Sequence, residues 1–350
     1  MPVTCTKREV PQMTNNNCCS CCCSDECESE IFAASTTLSL KDILGAWKVR
    51  WGFGRADYKI EPGLYTIGNP DDNSPVLVSA NYKLTFDTLR KNISGLDCRI
   101  LILDTKGINV WCAAGKGTFG TDELVNRIKT TDLSGIVAHK KLILPQLGAP
   151  GVSAHEVAKL TGFSVIYGPV RASDIKTFIA SGCQTTREMR SVNFTTWDRL
   201  VLTPVEFMQT INISLKLFGI LFLINLFAAR PFGLGDFLAY AAAVLAGTVV
   251  TPVLLPFIPG KAFAFKGWLL GAISTACLAW VYGWFASPFL LAGYMLTLPA
   301  YSAFLAMNFT GSSTYTSFSG VIKEMRFAVP LIILSSVAGV ILILTAAFTG

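Results

Sequence analysis

The chain predicts an α/β domain built on a mostly parallel sheet, followed by an all-α transmembrane domain of five helices. Two observations divide it. Up to about residue 205, short strand-like runs alternate with helical patterns, as in strand–helix–strand units whose sheet is covered on both faces. Beyond Thr210 the charges thin to Lys216, Arg230, Asp236, Lys261, Lys266, Lys323, Glu324 and Arg326. Hydrophobic residues make up 51% of the chain, more than a wholly soluble protein carries, and the excess lies in this second part. The expected organisation is therefore a cysteine-rich, unfolded tail over 1–35, a soluble domain over 36–205 and a membrane domain over 206–350.

In the soluble part the strand-like runs are 75–78, 99–103, 135–138, 141–144 and 163–167, with helical patterns over 84–93, 121–129 and 153–160. Thr121, followed by Asp122 and Glu123, reads as a helix start, with an N-cap hydroxyl and acids in the first turn. In the membrane part, five apolar stretches of about 20 residues are long enough to cross a bilayer: 209–229, 235–257, 267–285, 288–307 and 328–348. Lys261 and Lys266 fall in the second loop, and Lys323 and Arg326 in the fourth. The positive-inside rule then places the amino-terminal domain in the cytoplasm and the carboxyl terminus outside. Residues 1–30 lack the apolar core of a secretory signal, in keeping with a multi-pass protein of the inner membrane. Coupled transport needs ionisable groups at membrane depth; beyond Lys216 the spans offer almost none, which favours anchoring or docking. Pro252, Pro256 and Pro299 could unwind helices, but proline is common in membrane spans. The hydroxyl-rich inner loop 308–321 reads equally as a solvated linker or as a surface facing the soluble domain.

Several strand ends run into loops rich in glycine and small polar residues, where a doubly wound sheet binds ligands. One of them, Asn109-Val110-Trp111-Cys112-Ala113-Ala114-Gly115-Lys116, follows the apolar run 99–103 and carries a single cysteine. Its continuation Gly117-Thr118 suggests a phosphate loop, but the spacing fails: Lys116 is followed by Gly117, and no glycine stands at 110. A nucleophilic cysteine needs a base, and His139 and His155, the two histidines, cannot be placed beside Cys112 from sequence. Zinc spacing is also missing around Cys98 and Cys112. What remains is a thiolate acting as one ligand to something large held by the strand-end loops. Cys98, Cys183 and Cys277 read as packing residues.

The octapeptide, its continuation through Thr121 and the five-span tail together resemble the mercury-methylating corrinoid proteins, the HgcA family, over roughly residues 45–350. The soluble part also resembles the corrinoid domain of the corrinoid iron–sulfur protein of the acetyl-CoA pathway. The resemblance implies a Rossmann-like domain holding base-displaced cobalamin, with Cys112 on a short cap helix as lower axial ligand to cobalt. It implies that Asn109, Val110, Trp111, Ala113, Ala114, Gly115 and Lys116 shape or flank the cofactor. Ser79, Asn81, Gly117, Thr118, Gly148, Ala149, Pro150 and Gly151 would line it. Many base-displaced cobalamin proteins use a D-x-H-x-x-G histidine; His139 follows Val137 by two and His155 follows Ser153, so neither fits. The implied activity is transfer of a methyl group from methylcob(III)alamin to Hg(II), giving methylmercury and Co(III). Reduction to Co(I) would allow remethylation from a folate-linked donor. The implied partner is a ferredoxin-like, HgcB-like protein with 4Fe–4S clusters. Carbanion and radical transfer both stay open. So do a corrinoid methyltransferase with another acceptor and, from a different class, a membrane metal-binding or transport protein.

The departure from the family is the tail. Cys5, Cys18, Cys19, Cys21, Cys22, Cys23 and Cys27 lack the spacing of an iron–sulfur motif. Adjacent thiolates suit soft ions, so the tail reads either as a Hg(II)-gathering segment or as an extension with incidental metal affinity.

Overall fold

A computed structural model describes residues 31–229, 231–312, 315–316 and 318–349. The tail cysteines Cys5 to Cys27 lie outside the described residues. The sheet begins earlier than the sequence suggested, with β1 (Ile31–Ala33), followed by α1 (Leu40–Arg50), β2 (Gly63–Ile67), β3 (Val76–Ala80), α2 (Lys83–Asn92) and β4 (Cys98–Leu103). Next come α3 (Val110–Lys116), α4 (Thr121–Thr130), the single turn α5 (Leu133–Ile136), β5 (Lys141–Leu144), α6 (Ala154–Thr161) and β6 (Ser164–Tyr167). The spatial order is β1-β2-β4-β3-β5-β6, parallel throughout except between β2 and β4. β4 is buried along its whole length because both sheet faces are covered. Alternate side chains serve the two layers: Leu101 and Leu103 pack with Phe119 and Phe163, while Ile100 and Ile102 pack with Phe86 and Phe178.

Two local expectations are corrected. The run 135–138 is no strand: it starts in the turn of α5, and only Val137 of its side chains is buried, because β5 takes the position beside β3. Thr121 is the first helical residue of α4 rather than its N-cap, which is Gly120. The Thr121 hydroxyl instead accepts the Ser153 amide at 2.9 Å and ties α4 to the start of α6.

After α7 (Ile175–Ala180) and the turn α8 (Arg187–Arg190), the chain enters α9 (Thr196–Asn225). This helix runs through the expected boundary at 205 and starts well before 209. Thr195 and Asp198 form a reciprocal cap at its start, and Arg171 reaches Asp198 at 2.9 Å, joining the α/β domain to the first membrane helix. Then follow α10 (Leu234–Leu245), a π-helical segment Ala246–Val250, α11 (Thr251–Leu254), α12 (Phe263–Val281), α13 (Pro288–Asn308) and α14 (Phe318–Thr349). Five helical segments among the described residues are long and apolar enough to cross a membrane, which marks a multi-pass membrane protein. Pro252 follows the π turn, whereas Pro299 sits inside an unbroken helix. Small residues let α12 and α13 close together: a Cβ on Gly267 would stand 2.5 Å from the Ala306 Cβ, and the Ser302 hydroxyl donates to the Gly267 carbonyl at 2.8 Å. The described part of the inner loop packs on the start of α9, with the Tyr315 ring 6.1 Å from that of Phe194 and the Arg199 guanidinium donating to its hydroxyl.

Candidate functional site

The connections determine where a cleft opens. From β3 the chain crosses by α2 to β4; from β4 it returns past β3, by α3 to α5, to reach β5. The strands therefore change direction of travel between β3 and β5, and pairing there is reduced to Leu77 with Ile143. At such a switch point, beyond the carboxyl ends of the strands, an open α/β sheet forms its crevice. A cavity of about 380 Å³ lies there. Its floor is Leu77, Val78 and Ser79 of β3 with Ile143 and Leu144 of β5; Pro145, Leu147 and Gly168 to Val170 close one side. Arg50, Tyr82, Thr85 and Thr88 form the opposite wall, and Asn109, Val110 and Trp111 bring the start of α3 to its rim. Burial pushes the Tyr82 phenol above its ordinary range, against the pull of Arg55 and Arg50, so it remains a hydrogen-bond donor at neutral pH.

α3 is short and defined at both ends. Asn109, extended at φ −65°, ψ 160°, accepts the Cys112 amide at 2.9 Å through its side chain. Gly117 ends the helix at φ +79°, a conformation most side chains disfavour. Val110, Ala113 and Ala114 are buried against the core, which turns Trp111, Cys112, Gly115 and Lys116 outward. The Cys112 thiol is free and exposed. Gly115, one turn along on the same face, leaves the space beside it open: a Cβ there would meet nothing within 4 Å. Cys112 does not itself line the cavity, but an exposed thiol with bare backbone one turn along, on the helix whose Trp111 reaches the cavity rim, gives a broad, flat ligand room to approach, and this fits a corrinoid ring. Among the described residues no three His, Cys, Asp or Glu side chains converge on a point. His139 sits at the opposite, amino-terminal end of β5, its ring already engaged by the Ser74 carbonyl at 2.9 Å and the Lys141 amide at 3.2 Å.

The other residues expected to line a cofactor divide. Ser79 is in the cavity wall; Asn81 is buried behind it. The Asn81 carboxamide oxygen accepts from the Thr105 amide (3.1 Å), the Thr105 hydroxyl (2.9 Å) and the Gly107 amide (2.9 Å). Its nitrogen donates to Asp104 at 3.1 Å. Asn81 thus fixes the loop that leads into α3. Gly148 and Gly151 back the same helix: a Cβ on Gly148 would lie 2.5 Å from the Phe119 ring, and one on Gly151 would lie 2.1 Å from the Phe119 carbonyl oxygen and 3.0 Å from the Ala114 Cα. Ala149 and Pro150 belong to that supporting loop, and Thr118 returns its amide to the Ala113 carbonyl at 3.0 Å. Sequence reasoning passed over the far wall, Arg50, Thr85 and Thr88. The strand-end loops containing Tyr82, Pro145, Leu147, Gly168 and Pro169 were the signal for the rest.

Comparison with known proteins covers this same region. Residues 53–179 match the family model described as CO dehydrogenase/acetyl-CoA synthase delta subunit. The acetyl-CoA decarbonylase/synthase complex subunit gamma of Methanopyrus kandleri is 34% identical over 127 residues, 36% of this chain and 27% of that protein. Its counterpart in Methanocaldococcus jannaschii is 32% identical over 127 residues, 36% of this chain and 26% of that one. The corrinoid/iron-sulfur protein large subunit of Moorella thermoacetica is 34% identical over 122 residues, covering 34% and 27%. The chain thus spans about a quarter of the length of these relatives. The family model is described by the delta subunit and two of these relatives are gamma subunits, so the shared unit is the domain and not one subunit. The matched segment contains the sheet from β2 to β6, α3 and every cavity-lining residue but Arg50, and the membrane helices fall outside it. Across residues 53–179 the chain is similar to subunits of CO dehydrogenase/acetyl-CoA synthase and acetyl-CoA decarbonylase/synthase complexes and to a corrinoid/iron-sulfur protein large subunit.

Proposed function

We propose that this protein is a membrane-anchored, corrinoid-dependent methyltransferase in which Cys112 is the lower axial ligand to cobalt and Hg(II) is the methyl acceptor. The observation that carries the reading is the free, exposed Cys112 on α3, next in the chain to Trp111, which lines the rim of the switch-point cavity. A bound corrinoid supplies a cobalt-held methyl group for transfer. Cys112 would hold the corrinoid metal through a soft, strongly donating thiolate, a donor that would favour transfer of the methyl group to an electrophile. Asn109 holds the turn that bears this thiol, and Gly115 leaves the space beside it open. Mercury as the acceptor rests on the resemblance carried by the octapeptide together with the five spans. On this reading a ferredoxin-like protein with 4Fe–4S clusters supplies electrons, a folate-linked donor restores the methyl group, and the soluble domain faces the cytoplasm.

The test is an anaerobic reaction of full-length, corrinoid-loaded protein with Hg(II), measuring methylmercury for the natural chain and for Cys112→Ala. Formation by the former and loss in the latter is expected. Corrinoid uptake without methylmercury would move the activity to another acceptor. No corrinoid uptake would sink the proposal and return the spans and the cysteine-rich tail to a metal-transport reading.

A further inference from the structure

A second cavity, remote from the corrinoid crevice, lies in the membrane domain between the amino-terminal ends of α12 and α14. It is an open groove of about 1050 Å³. Its lining carries three cations, Lys261, Lys266 and Lys323, against one acid, Glu324. That acid is already engaged, since its carboxylate accepts the Ala264 amide at 2.6 Å. Lys266 is the informative residue. It is 7% exposed, its ammonium donates to the Leu255 carbonyl at 2.5 Å, and no ion pair to it occurs among the described residues. A buried ammonium answered only by a carbonyl dipole is a poor arrangement unless an anion completes it.

The rest of the groove lining has the opposite character. Phe265 and Trp268, with rings 6.3 Å apart and near-parallel, stand on one side, and Phe327 and Leu331 on the other; all four are exposed on helices that read as membrane spans. Cations beside aromatic and aliphatic side chains match a molecule with an anionic head and hydrocarbon chains. A free phosphate would use only the cations. We propose that this groove binds one anionic phospholipid from the leaflet on the side of the soluble domain, its phosphate held by Lys261, Lys266 and Lys323 and its acyl chains lying against Trp268, Phe327 and Leu331. Basic pockets between membrane helices bind such headgroups elsewhere. The bound lipid supplies the anion that Lys266 lacks and links the start of α12 to the start of α14, near the inner loop that packs on α9.

The test uses the full chain in nanodiscs of phosphatidylcholine with a rising fraction of phosphatidylglycerol, followed by gentle detergent extraction and native mass spectrometry of the retained lipid. One phosphatidylglycerol is expected to be retained in clear preference to phosphatidylcholine, and thermal stability is expected to rise with its fraction. In Lys261→Gln/Lys323→Gln, whose altered side chains are exposed, the preference should fall about thirtyfold, from roughly 1 kcal/mol per lysine. Lys266→Met should abolish the thermal response to phosphatidylglycerol; the double variant decides the matter if Lys266→Met does not fold. Equal retention of both lipids would overturn the proposal. So would an equal thermal shift from millimolar glycerol 3-phosphate in pure phosphatidylcholine, which would make the ligand a soluble phosphate.

Discussion

Asn81→Ala separates a cofactor contact from a structural latch. Asn81 is 2% exposed, and its carboxamide serves two backbone amides, Thr105 and Gly107, at 3.1 and 2.9 Å. Alanine strands both donors. The Thr105 hydroxyl retains the Ile108 carbonyl at 2.7 Å, and Asp104 retains the Lys106 amide at 2.9 Å, so those partners lose little. Each stranded buried donor costs about 1–3 kcal/mol, giving a destabilisation of about 4 kcal/mol, large for one substitution. The loss should be focused on the segment that leads into α3. The assay is hydrogen exchange with mass spectrometry on the full chain in nanodiscs, following peptides over 104–117, alongside calorimetric unfolding. Faster exchange in these peptides and a lower unfolding temperature are expected before any cofactor is added. Unchanged exchange and unchanged unfolding, with corrinoid uptake lost, would refute the latch and make Asn81 a ligand contact.

Gly151→Ala places a methyl group 2.1 Å from the Phe119 carbonyl oxygen; overpacking against backbone should cost about 2–3 kcal/mol and lower corrinoid affinity, read by calorimetry and by titration. Thiol labelling at pH 8 should modify the exposed Cys112 and spare Cys98, whose thiol burial, with help from Asp97, pushes up to about 12; labelling of Cys98 in the folded protein would contradict the packing described. Burial opposes ionisation of Asp42, but the Lys83 ammonium, the Ser39 amide and hydroxyl, and Arg90 outweigh it and hold its carboxyl below the ordinary 3.8. That stabilisation is present above the unfolded value and is lost as pH falls through the folded one. Asp42→Asn should therefore cost about 2 kcal/mol at pH 7, and the difference from the natural chain should shrink in acid below 3.8, followed by denaturation against pH. If the tail gathers Hg(II), deleting residues 1–30 lowers methylmercury formation at limiting Hg(II) and leaves it unchanged at saturation; equal rates at limiting mercury would leave the tail an extension with incidental metal affinity.

The strands that carry the crevice were legible because each is a short, apolar, β-branched run flanked by turn residues: β3, β4, β5 and β6 fall within a residue or two of their expected positions. The run 135–138 has the same composition, yet pairing is decided by which segment reaches the sheet position beside β3, which no local pattern reveals. β1 and β2 escaped for related reasons. One is three residues long, and the other pairs antiparallel to β4, outside the strand–helix–strand rhythm. At the site, Cys112 and its helix could be read from the octapeptide. Glycine marks close approach without naming the neighbour, so Gly148 and Gly151 read as cofactor contacts, whereas their close neighbours are Phe119 and Ala114. Thr85 and Thr88 reach the cavity from α2, an amphipathic helix whose periodicity indicates burial and not function, and Arg50 reaches it from α1, which the sequence pattern did not reveal. In the membrane, composition located all five spans but not the start of α9, because a helix can continue beyond the apolar stretch when its cap, here Thr195 with Asp198, lies further back.

The most direct measurement is the visible spectrum of the full-length protein loaded with methylcobalamin, natural chain against Cys112→Ala. The expected result is a base-displaced, thiolate-ligated spectrum in the natural chain that is lost in the variant while the fold, followed by calorimetry, is retained. Identical spectra in the two proteins, or no corrinoid bound by either, would contradict the assignment of Cys112 to cobalt.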